Sequence, residues 1–84
     1  MALGRSDVVT VKVPFARLPV GMKGVCIDVG ARNGVSVWSV LMANQHVITI
    51  LGREVDIFFR RSGKLSTMTD DRQQLIRMLE DHTT

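Results

Sequence analysis

The chain has 84 residues, of which 45% are hydrophobic and 23% charged, a length that suits one domain and a composition that favours a folded one over a disordered one. A single cysteine, Cys26, excludes an intramolecular disulfide and a cysteine-based zinc site, and two histidines, His46 and His82, are too few for a metal centre of usual ligand count. The formal charge of +3 is mild for a nucleic-acid binder, and no stretch approaches the about 18 apolar residues of a membrane span.

Val8 to Val13 (VVTVKV) alternates, with Val9, Val11 and Val13 on one face and Thr10 and Lys12 on the other, as a half-buried strand requires. Pro14 lacks the N–H to continue a ladder, so Phe15 to Met22 reads as an irregular loop in which Phe15, Leu18 and Val20 pack over one end of the sheet. Gly24 to Val29 (GVCIDV) alternates again, Val25, Ile27 and Val29 against Cys26 and Asp28. The GARNG segment from Gly30 to Gly34 supplies the positive φ angles of a tight hairpin, and Val35 to Met42 follows as a strand that is apolar on both faces and therefore central. Ala43 to His46 is a turn, and the β-branched run Val47 to Leu51 (VITIL) pairs back as the next strand. Glu54 to Phe59 closes the sheet as a short strand or a single helical turn.

Residues 60–68 read as a polar linker loop. A helix over 69–82 then starts at a Thr69 cap, carries Asp70 and Asp71 in its first turn, presents Leu75, Ile76, Met78 and Leu79 on one side and frays near His82. The expectation is a mainly β, single-domain protein (residues 1–84), a small antiparallel barrel of about five strands over 8–59 with a C-terminal α-helix. The amino terminus MALGRSDVV has no secretory pattern and, with the lone cysteine, suggests a cytoplasmic setting.

The run PFARLPVGMKGVCIDVGARNGVSVWSV resembles a divergent KOW-type element of the SH3-like barrels, in which a strand and an irregular loop lead to a glycine, an alternating strand, a turn and a returning strand. In that resemblance Gly24 is the motif glycine, Val25, Ile27 and Val29 form its strand, and Val35 and Val37 the returning one. It covers about a third of the chain and implies an SH3-like fold, with binding of RNA, ribosomal components or transcription machinery as the functions common among such proteins. The absence of tyrosine argues against an aromatic groove for polyproline ligands.

Charge is unevenly spread. Met1 to Lys64 holds nine basic and four acidic residues and Leu65 to Thr84 two basic and four acidic, a basic body (+5) with an acidic tail (−2). Arg17, Lys23, Arg32, Arg53, Arg60 and Arg61 are the expected contacts to nucleic acid or to an acidic protein surface. Phe58 stands beside the arginine pair for stacking, and Trp38 is either a stacking platform or a core residue. Cys26 reads as a small hydrophobe, and Glu54 and Asp56 share a face if their segment is extended. With no nucleophile and base, no phosphate-cradling glycine loop and no deep pocket, catalysis and cofactors are not expected. The reading is a non-enzymatic binding module. The alternative is an assembly or homo-oligomerisation module using Phe15, Leu18, Phe58 and Met68.

Overall fold

A computed structural model describes residues 3–82. Five strands, β1 (Asp7–Val11), β2 (Lys23–Arg32), β3 (Val35–Met42), β4 (Val47–Leu51) and β5 (Phe59–Lys64), form one antiparallel sheet in the order β4-β3-β2-β1-β5. Two helices complete the fold, α1 (Gly52–Phe58) between β4 and β5, and α2 (Arg72–Asp81) after β5. The sheet is open, with β4 and β5 as its two edges. Among the described residues no helix is long and apolar enough to cross a membrane.

β1 is buried along its whole length because both of its faces are covered. Val9 and Val11 enter a core on the inner face with Trp38, Val40, Met42, Ile50, Val55 and Phe59. Val8 enters a second core on the outer face, where Val25 and Leu41 meet Leu75, Ile76 and Leu79 of α2. The helix is thus half of a core rather than an appended tail, and its apolar stripe has the helical spacing that such packing requires.

Several boundaries differ from the sequence reading. β1 stops at Val11, and Val13 is 43% exposed in the loop that follows. The hairpin turn contracts to Asn33 and Gly34, both with positive φ (53° and 78°), the geometry that Asn-Gly pairs favour, and β2 and β3 extend to meet it. A bulge between Cys26 and Asp28 adds one residue to β2. A one-residue insertion reverses the faces beyond it, so Val25 and Ile27 lie on the α2 side while Val29, opposite Trp38, lies on the inner side. The expected common face for all three valine and isoleucine positions is therefore broken.

Residues 60–64, expected as part of a linker, are strand: β5 pairs with β1 from Asp7↔Lys64 to Val11↔Phe59. The segment FRRSGK has no alternating apolar pattern because only Phe59 reaches the core, and backbone pairing with β1 carries the rest. The helix cap also moves. Asp71 is the cap, its carboxylate accepting the N–H groups of Gln73 (3.0 Å) and Gln74 (3.3 Å), while Thr69 Oγ1 accepts the N–H of Asp71 itself.

Candidate anion-binding face

The β1 register builds the most coherent polar feature of the molecule. Thr10 stands directly opposite Lys23 on β2 and Arg60 on β5. Cross-strand partners share a face, so Lys23, Thr10 and Arg60 form one row across three strands. Val8, two residues earlier, contacts the α2 core, which puts the row on the outer face. Lys12 follows Thr10 by one strand period and lines the same depression as Arg60, with Thr10 and Val20. Ser62, inserted by the β5 bulge, closes the row: its hydroxyl and that of Thr10 are hydrogen-bonded at 2.8 Å. The Cα positions of Lys23 and Arg60 are separated by two strand spacings, about 10 Å.

The end of α2 abuts this row. The Lys23 ammonium donates to the His82 carbonyl at the helix C-terminus, where a cation is favoured by the aligned backbone dipoles. The His82 ring lies over Gly63, whose φ of 152° is a backbone conformation that favours glycine. Lys12 and Arg60 are exposed, and among the described residues no carboxylate pairs with either.

The other expected cations are dispersed. Arg61 faces the inner side opposite Val9 and is held by Asp7 at 3.1 Å, whose carboxylate is 4% exposed as a residue and also accepts the Gly4 N–H. Arg17 sits at the tip of a tight turn closed by the Leu18 N–H on the Phe15 carbonyl, beside a groove shared with Asn44, His46, Val47 and Ile48. Arg32 is at the far end of β2 next to the hairpin turn, and Arg53 is in the first turn of α1. Of the six, only Lys23 and Arg60 are brought into one row. Lys12, Thr10 and Ser62 are added by the structure, and the alternation that puts Thr10 and Lys12 on the polar face of β1 is the sequence signal that points to them.

Neither aromatic is a free stacking platform. Trp38 is 4% exposed and its indole N–H donates to the Leu3 carbonyl at 2.9 Å. Phe58 packs on Phe15, with ring centroids 4.4 Å apart, and the same Phe15 meets buried Phe59 edge-on at 5.7 Å. Leu18 is buried, and Phe15 and Phe58 are packed against the inner core and Met68 against the outer one. Of the four apolar residues expected to face a partner, Leu18 is buried and the other three are half-buried against the cores.

The remaining chemistry is structural. Burial pushes the Cys26 thiol up to about 11. The Asp28 backbone opposes the rise and the Asp7 and Asp28 carboxylates add smaller contributions to it, but burial dominates, so the group stays a neutral thiol. Glu54 and Asp56 do not share a strand face because α1 replaces the strand, and the Glu54 carboxylate accepts the Leu51 N–H at 3.0 Å at the start of that helix. Among the described residues no cluster of three potential ligands could hold a metal ion. No family model, curated protein or solved structure matches the chain.

Proposed function

We propose that the chain is a non-enzymatic, SH3-like binding module whose outer row, Lys12, Lys23 and Arg60 around the Thr10–Ser62 hydroxyl pair, takes the phosphate backbone of a nucleic acid. The observation that carries the reading is the register Lys23↔Thr10↔Arg60, which sets cations from β2 and β5 on either side of Thr10, with Lys12 just beyond β1 and, among the described residues, no carboxylate paired to Lys12 or Arg60. Phosphate contact by Lys, Arg and hydroxyl groups is the usual sequence-independent mode, and with Trp38 and Phe58 packed internally it operates here without base stacking.

The barrel character of the fold is supported by α1. Seven helical residues join the two edge strands with no intervening loop, a span of about 10 Å, whereas the edges of a flat five-stranded sheet would lie about 19 Å apart. The sheet must therefore curl. The order β1, long loop, Gly24, β2, Asn-Gly turn, β3 follows the KOW-type pattern.

Fluorescence anisotropy with short mixed-sequence single-stranded RNA and DNA, across a salt series, tests the reading. Three neutralised phosphates give a slope of log affinity against log salt of about −2. Lys12→Ala and Arg60→Ala each lower its magnitude by about 0.7, and Arg53→Ala leaves it unchanged. No binding at low salt, or binding indifferent to the Lys12 and Arg60 substitutions, overturns it.

A further inference from the structure

The two edges of the sheet are built differently. β5 carries Arg60, Arg61, Lys64, a glycine and a bulge, the usual devices that discourage strand addition. β4, with the sequence VITIL, has no charge, proline or glycine and pairs with β3 in unbroken register. Its outer edge is a template for another strand.

The hydrogen-bond phase of β4 follows from two independent contacts. The Met42 N–H donates to the His46 carbonyl at 2.8 Å, which makes 42/46 a bonded pair. By alternation Val40↔Ile48 and Trp38↔Ile50 are the next bonded pairs, and the N–H and C=O groups of Val47, Thr49 and Leu51 point away from β3. Consistently, the Leu51 N–H is taken by the Glu54 side chain at 3.0 Å. Among the described residues no backbone hydrogen bond outside the sheet engages Val47 or Thr49. The free edge therefore offers the donor and acceptor of these two residues and no others before α1 begins.

We infer that β4 pairs antiparallel with β4 of a second copy, about a two-fold axis through Ile48. In that register Val47 of each copy lies opposite Thr49 of the other, and all of the free groups are satisfied by four hydrogen bonds. An axis through Thr49 would instead place Val47 opposite Leu51 and require the N–H that Glu54 holds, so the Glu54 contact selects the register. A second copy is favoured as the occupant because its edge presents the same donors and acceptors in the complementary phase and β4 itself carries no charge. Val47, 39% exposed, is covered by the pairing, and the two Ile48 side chains meet at the axis.

The interface is a short strand edge, so the dimer is concentration-dependent. Sedimentation equilibrium of the full chain should show a mass rising from 9.3 kDa toward twice that value as concentration increases. Thr49 is exposed, so Thr49→Lys leaves the fold intact while placing an edge lysine at the contact, and it should remain monomeric at the same concentrations. Ile48→Cys should form a disulfide-linked dimer on mild oxidation, because a non-hydrogen-bonded antiparallel pair brings its Cα atoms to about 4.5 Å, within disulfide reach. Thr49→Cys, opposite Val47, should not. A wild-type protein that stays monomeric at about 1 mM, the upper end of weak association, or a dimer that Thr49→Lys leaves unchanged, overturns the inference.

Discussion

Gly24 owes its lack of a side chain to packing. A Cβ there would meet Val40 Cγ1 at 2.8 Å and the Leu41 carbonyl at 3.1 Å, so Gly24→Ala should lower stability by about 1–3 kcal/mol in denaturant unfolding, as overpacking does. Cys26 offers a titration test. Its thiol pKa is raised to about 11 in the fold from an ordinary value of 9.0. The unfolded chain therefore ionises first as pH rises, and the stabilisation, intact below pH 9, is lost between 9 and 11, by about 2–3 kcal/mol. Unfolding free energies measured from pH 8 to 11 should fall more steeply for wild type than for Cys26→Ala, and the native thiol should resist alkylation at pH 8. A parallel slope in the two proteins would refute the assignment. The sequence pattern already placed Cys26 as a small hydrophobe. It left Trp38 as either a core residue or a stacking platform, because a tryptophan in a strand with apolar neighbours on both sides does not reveal whether its N–H meets water or the Leu3 carbonyl.

At the level of elements, α2 is the clearest case of a legible segment with an illegible role. Its stripe of Leu75, Ile76 and Leu79 is evident from spacing, yet only the structure shows that this stripe completes the outer core over Val8, Val25 and Leu41. Leu75→Ala should cost about 2–5 kcal/mol, a large share of the about 5–15 kcal/mol that holds a domain together. Circular dichroism melts of this variant should show strand and helix signals lost together. The acidic tail could be imagined as a displaceable cover for a basic surface, but removing residues 67–84 strips one side of a core and should unfold the sheet rather than unmask it. β5 was hidden for the opposite reason. Its side chains are mostly outside, so hydrophobic periodicity carries no signal, and its existence depends on pairing with residues 48 to 57 positions earlier. The β2 bulge was equally invisible, since one extra residue leaves no compositional mark.

Over the whole molecule, mixed-sign charge sorts by face rather than by segment. Arg61 is absorbed by Asp7 and Arg5 by Asp70, while Lys12 and Arg60 are left to the outer face. The basic body and acidic tail seen in the sequence are thus a coarse projection of an arrangement that only the strand register resolves. Lys12→Glu with Arg60→Glu should abolish polyanion binding by reversing the local charge, with no shift in thermal midpoint beyond a few degrees, since exposed surface side chains contribute little to stability. A large fall in the midpoint would mean that these side chains support the fold instead.

The placement of β1 between β2 and β5 also sets a clock. Val9 must wait for Arg61, 52 residues later, before its second ladder can form. At a synthesis rate of about 5–20 residues per second the delay is about 3–10 s. During that interval the nascent chain holds the apolar strand DVVTV with one side unpaired. The outer core is postponed further, until α2 has been made. Native structure in this protein is a late event, reached only when β5 and α2 are present to close it.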